Sequence, residues 1–159
     1  MLIIKSPAQK SYALGGAVIF LAAHLYRLPK DHPRRLAMLD HEKHHIYRER
    51  GWVRQWRYGP GAWKRSPVIL WPLYAALYHA LWLLHGPFRA QEELGGARAM
   101  IHNAVARDGE VNLEVRAMIV YDLVHLYGII QREQDAVGFV RAEEVRARTI
   151  LARLDKGKR

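Results

Sequence analysis

The stretch His41-Glu42-Lys43-His44-His45 sets two histidines four residues apart, with a glutamate directly after the first. On a helix, residues four apart lie one turn above each other, so His41 and His45 can each put an imidazole nitrogen on one metal ion, with Glu42 beside them. Two neutral histidines that bind Zn²⁺, and an adjacent carboxylate that takes a proton from water, are the parts of a zinc hydrolase site. With 9 histidines and 9 glutamates in 159 residues, random placement would give about 0.03 such matches per chain, so the motif is informative. The flanks suit a helix as well. Pro33 fits the first helical position, with Asp31 and His32 just outside, and Gly51 fits the end. A helix is therefore expected over 33–50, with the motif in its middle.

A chain of 159 residues is one domain by size, large enough to bury a core without covalent staples. It has no cysteine, which excludes disulfides and thiolate metal sites, so a zinc ion must be held by histidine and carboxylate. The N-terminus has no positive charge ahead of its first apolar run and no small-residue cleavage site after one, so no signal peptide is read there. The expected location is the cytoplasm or a membrane, peripheral or integral.

The formal charge of +10 is uneven. Residues 1–91 carry 14 lysines and arginines against Asp31, Asp40, Glu42 and Glu49, whereas residues 92–159 carry 11 charges of each sign. Arg27, Lys30, Arg34, Arg35, Lys43, Arg48, Arg50, Arg54, Arg57, Lys64 and Arg65 thus surround the motif in sequence. They read first as a solvated basic face, and alternatively as a rim for an anionic partner: a membrane, a wall polymer or a nucleic acid.

Ahead of the motif, Met1 to Lys5 reads as an edge strand. Ala13 to Tyr26 reads as a second strand, because Gly15-Gly16 argues against a continuous helix. The edge of that strand could hold an extended peptide across the metal. After the motif, Gly59-Pro60-Gly61 marks a turn, although Val53 to Tyr58 can prolong the helix past Gly51. Trp52, Trp56 and Trp63 read as core cover, with stacking on bases or a lipid interface as the alternative. Pro67 to Leu84 is 18 residues without a formal charge, long enough for a membrane span, but it is interrupted by Pro72, Tyr74, Tyr78 and His79. It reads better as a buried or partly membrane-facing core helix.

Gly86-Pro87 opens the next helix, whose apolar line runs through Ala90, Leu94, Ala97, Ile101 and Val105. At about 100° per residue, Glu93 projects about 80° from the middle of that line and Glu92 about 180°, so Glu93 turns inward more easily. A carboxylate at a core margin needs a partner, and a metal would supply one. The last third reads as packing structure over 111–155. A helix capped by Asn112 runs to Gln131, a break follows at Gly138, and a charged amphipathic helix covers Phe139 to Leu154.

The order of strand, H-E-x-x-H helix, aromatic apolar helix and then a Pro-initiated helix with early acids running into small residues resembles the gluzincin metallopeptidases, especially their small minimal members. The resemblance spans roughly residues 13–105. It implies a mostly α-helical α+β fold: a small zincin-like domain whose short N-terminal sheet packs on the motif helix, followed by a glutamate-bearing helix. It implies Zn²⁺ held by His41, His45 and Glu93, with Glu92 as the runner-up ligand and Glu42 as general base acting on a peptide or protein substrate. Tyr78, His79 and Arg89 are expected near the oxyanion or substrate, together with Tyr74 and His85. His79 and His85 read first as hydrogen-bonded core or boundary histidines, and His44 as a surface residue. Many gluzincins place an aspartate four residues after the ligand glutamate, whereas this chain has Ala97 after Glu93 and Gly96 after Glu92. A residue from elsewhere is then required to orient the zinc-bound histidine.

Overall fold

The computed structural model describes residues 1–7, 10–14, 18–58 and 71–157. The Gly15-Gly16 break, the Gly59-Pro60-Gly61 turn, residues 67–70, Trp63 and the side chains of Trp52, Trp56 and Tyr74 lie outside the described residues. Three strands, β1 (Leu2–Lys5), β2 (Tyr12–Leu14) and β3 (Val18–Leu21), precede the helices α1 (Ala23–Tyr26), α2 (Pro33–Tyr58), α3 (Trp71–Leu84), α4 (Gly86–Asp108), α5 (Leu113–Tyr121) and α6 (Glu133–Lys156). The fold is mostly α-helical α+β.

β3 is the middle strand. It pairs in parallel with β1, with Ile3 opposite Ile19, and antiparallel with β2, with Tyr12 opposite Phe20. The β-branched and aromatic residues suit this pleated surface, and the Tyr12 and Phe20 rings stack at 4.7 Å. Ile19 and Leu21 point into a cluster with Leu25, Leu39 and Ile46, which fastens the sheet to α2. The expected strand from Ala13 to Tyr26 is therefore split: it ends at Leu21, and Leu25 reaches the core from a single helical turn. Both edges of β3 are occupied, so the sheet edge available beside α2 is that of β2.

α2 runs through Gly51 to Tyr58. A glycine inside a helix costs only about 1 kcal/mol, less than the surrounding helical residues supply. The main core lies between α4, α5 and α6, where Met100, Ile101, Ala104 and Val105 meet Val115, Ile119, Leu123 and Val140. α3, expected as a buried or partly membrane-facing core helix, buries Tyr78 on one side and leaves Leu73, Leu77, Leu83 and Leu84 exposed. Among the described residues no helix is long and apolar enough to cross a membrane.

The helix expected over Asn112 to Gln131 stops earlier. Asn112 does cap it, its side chain accepting from the Glu114 amide at 2.8 Å. After Tyr121 the chain makes a π-helical turn over Asp122–Leu126, in which the Tyr127 amide reaches the Asp122 carbonyl five residues back at 2.9 Å. Gly128 then takes a left-handed conformation, φ 62°, that ends the helix.

Candidate metal centre

α2 and α4 cross at the motif, and glycines on α4 set how closely they approach. A Cβ on Gly96 would stand between 2.5 and 2.9 Å from three atoms of the His41 ring, and one on Gly95 would collide with His44. His44 is accordingly a half-buried residue packed on α4 rather than the expected surface residue, and burial pushes its pKa down. The small residues after Glu93 thus bring its helix against the motif.

At this crossing His41, His45 and Glu93 converge. The His41 and His45 Nε2 atoms are 3.0 Å apart, His41 Nε2 lies 3.1 Å from Glu93 Oε2, and His45 Nε2 lies 3.7 Å from Glu93 Oε1. Tetrahedral zinc with bonds of about 2.0–2.1 Å needs donors roughly 3.3 Å from one another; taking one atom from each residue, the three donors lie within 4.8 Å of one another. His41 and Glu93 are almost fully buried, and Glu93 Oε2 makes no well-formed hydrogen bond, its neighbour at 3.1 Å being His41 Nε2. Two nitrogens and a carboxylate gathered around one point make a group that could hold a metal ion.

The electrostatics of the metal-free chain follow from this crowding. Burial pulls His41 down, but the Glu93 carboxylate against it more than reverses that, and its pKa is raised. His45, buried beside the cationic His41, falls to about 3 and stays neutral. Burial works to raise Glu93, yet His41 outweighs it and holds the carboxyl below its ordinary range. Glu42 is 4 % exposed, and burial, reinforced by Glu93, pushes it to about 7 against His41 and the backbone of Ala13.

The neighbouring acid Glu92 is equally buried but does something else. It accepts from Arg48, through Nε at 3.0 Å and Nη2 at 2.8 Å, and from the Tyr78 hydroxyl at 2.8 Å. Its position opposite the apolar line is covered because α3 and the Arg48 side chain close over that flank, so Glu92 stands outside the metal group. Glu93 Oε1 receives the Trp82 indole N–H at 2.9 Å, which orients the carboxylate.

Beside the group opens a cleft of about 1110 Å³, bordered by β2 at Lys10 to Ala13, by α2 and by the start of the π turn. Tyr78 and His79 line it, with the Tyr78 hydroxyl held by Glu92 and His79 Nε2 lying 3.5 Å from Glu49. Arg89 does not line it. His85 is spent on capping α4, its Nδ1 accepting from the Phe88 amide at 3.1 Å.

Two residues assigned to mere packing also line this cleft. Asp122 is close enough for its charge to act on His41, and burial, with Glu93 adding to it, raises it to about 6. Tyr127 lies parallel to the His41 ring, centroids 6.5 Å apart, and burial next to Glu93 holds its hydroxyl well above the usual phenol range. One sign of Asp122 was visible: it falls between Met118, Ile119 and Leu123 on the apolar face of its helix, where a lone acid needs a reason. Nothing comparable marked Tyr127, which reaches the site through the π turn. Compared with known proteins, the chain matches no protein-family model, no curated protein and no solved structure.

Proposed function

We propose that this chain is a zinc-dependent hydrolase of amide bonds, a metallopeptidase in the manner of the small gluzincins. The observation that carries the reading is the joint presence of the His41, His45 and Glu93 donors and a further buried carboxylate, Glu42, facing one cleft. Glu42 also meets the Ala13 backbone, but a metal site that only stabilises the fold does not require a carboxylate beside its ligands.

His41, His45 and Glu93 would hold the zinc, leaving one position open to the cleft. Bound zinc supplies Lewis acidity, acidifying water and polarising a carbonyl oxygen. Glu42, whose proton affinity burial brings close to neutrality, takes the proton from the attacking water and hands it to the leaving nitrogen. Tyr127, kept protonated by its surroundings, donates to the oxygen that gains charge. Asp122 acts on His41 through its charge, and the orienting role that Ala97 and Gly96 cannot fill is left open at the unpartnered His41 Nδ1. The unpaired edge of β2 holds the substrate in extended form, its backbone groups pairing with those of a peptide.

The deciding experiment is zinc content per chain on protein purified without added metal, for the wild type, His45→Ala and Glu93→Ala. About one zinc in the wild type and none in either variant is the expected result. Peptide cleavage is then screened with Glu42→Ala as the inactive control. A wild type that takes up no zinc after reconstitution ends the hydrolase reading.

A further inference from the structure

Two cations line the cleft, Lys10 and Arg34, and neither has an ion pair among the described residues; of the two, Arg34 stands on the motif helix. Arg48 is paired with Glu92, Arg98 with Glu143, Arg107 with Asp40 and Arg116 with Glu144. Arg35, adjacent in sequence, donates through Nη1 to the Tyr26 and Leu28 carbonyls. Arg34 lines the cleft without an ion pair among the described residues, and its buried Nε has no hydrogen-bond acceptor. Asp122 and Glu114 also line the cleft; neither is within ion-pair distance of Arg34, the charge of Asp122 is weakened by burial, and Glu114 lies 4.0 Å from His32.

The position of Arg34 gives it a distance as well as a charge. Arg34, Met38, His41 and His45 follow one another by four, three and four residues, so they form a single line along α2, and all four border the cleft. Seven residues separate Arg34 from His41, a rise of about 10 Å. An extended peptide advances about 3.3 Å per residue, so about three of its residues cover the same span.

We propose that Arg34 is the specificity residue of this cleft and receives a substrate carboxylate about three residues from the bond that is cut. The planar guanidinium fork fits a carboxylate through two parallel hydrogen bonds. Its α2 turn adds the positive end of the helix macrodipole, and no acidic residue occupies that first turn. The carboxylate is either a chain terminus or an Asp or Glu side chain. The inference rests on the hydrolase reading for the word "cut", while the recognition of a carboxylate does not depend on it.

The test uses zinc-loaded full-length protein and two matched pairs of randomised, N-acetylated octapeptide pools. One pair ends in a carboxylate or an amide, and the other has an amide end and a single Glu or Gln at varied positions. Cleavage sites are mapped by mass spectrometry for the wild type, Arg34→Gln and Arg34→Lys, and binding is measured in Glu42→Gln, with and without Arg34→Gln. The expected result is cutting about three residues from the carboxylate, with a loss of about tenfold or more in Arg34→Gln, partial retention in Arg34→Lys, and the same preference in binding. The first pair reports a terminal carboxylate and the second a side-chain one. Equal treatment of acid and amide pools, or a preference that survives Arg34→Gln, overturns the proposal. No cleavage but an Arg34-dependent carboxylate preference in binding sinks the hydrolase reading and leaves the specificity residue standing.

Discussion

The crossing of α2 with α4 and the crossing of α4 with α6 both bury carboxylates, and they treat them in opposite ways. At α4–α6, Glu143 receives Arg98 Nε at 3.0 Å and meets His102 Nε2 at 3.2 Å. Glu144 receives the Val111 amide at 3.2 Å, Arg116 at 3.0 Å and Arg148 at 2.9 Å. At α2–α4, Glu93 meets an indole N–H, two imidazoles and the Tyr127 hydroxyl, with no arginine or backbone amide among them. Buried acids that serve only the fold are surrounded by arginine and amide donors, because an unmatched buried charge is expensive. On the proposed reading, the carboxylate at α2–α4 is the one kept for a ligand and those beside α6 are kept for the fold.

The sharpest way to break that contrast is to remove one acid from each crossing. Glu144→Ala strips three hydrogen bonds and leaves the Val111 amide without its acceptor, so the metal-free chain is expected to lose about 1–3 kcal/mol in urea unfolding. Zinc should still stabilise it, by about 2.7 kcal/mol at a hundredfold excess over Kd, as in the wild type. Glu93→Gln should abolish the zinc increment, and because it removes the anion buried against His41 it should lower metal-free stability as well. A zinc increment that survives Glu93→Gln would erase the distinction between the crossings.

The second test acts on shape instead of charge. Gly96→Ala drives a methyl group into the His41 imidazole, and overpacking of this kind costs about 1–3 kcal/mol. Because the ring must move, zinc content should fall with stability. Loss of stability with full zinc occupancy would show that His41 does not hold the metal in the position described.

A third prediction uses pH on the metal-free chain, kept so with a chelator. Glu42 has an ordinary pKa of 4.5 and a folded value of about 7. Between these values the unfolded chain has released a proton that the folded chain retains. Its contribution is therefore full below about pH 4.5 and lost as pH rises through 7. His45, held neutral down to about 3, works in the other direction below 6.5, so the wild-type curve alone is ambiguous. The difference between Glu42→Gln and the wild type isolates Glu42. It should grow in favour of the variant by on the order of 1–2 kcal/mol from pH 5 to pH 8, read from urea midpoints. A difference that stays flat with pH would mean that the carboxylate is not buried as described.

What could be read from the chain without its fold divides along similar lines. His41 and His45 were legible because a four-residue step has one meaning on a helix, and Glu93 because a carboxylate at the margin of an apolar line must be accounted for. Glu92 was misplaced, since helical angle describes one helix and its burial comes from α3 lying across the other flank. The length of α2 was underread at Gly51, where a mild local penalty was overruled by its neighbours. Tyr127 was out of reach for a different reason. A π turn shifts the register by one residue, and 3.6-residue periodicity carries no sign of it.

The smallest expected effect is the control on α6. Gly138 stands inside that helix at ordinary dihedrals, and a Cβ there would meet nothing within 4 Å. Gly138→Ala should therefore stabilise the chain by about 0.5–1 kcal/mol through reduced backbone entropy of the unfolded state, with zinc content unchanged. The same substitution at Gly96 is expected to destabilise and to expel the metal. The pair holds chemistry constant and varies only which crossing is touched. A stabilising effect at both positions would mean that α4 can retreat from α2 at little cost, and that the close approach seating His41 is not maintained by the glycine.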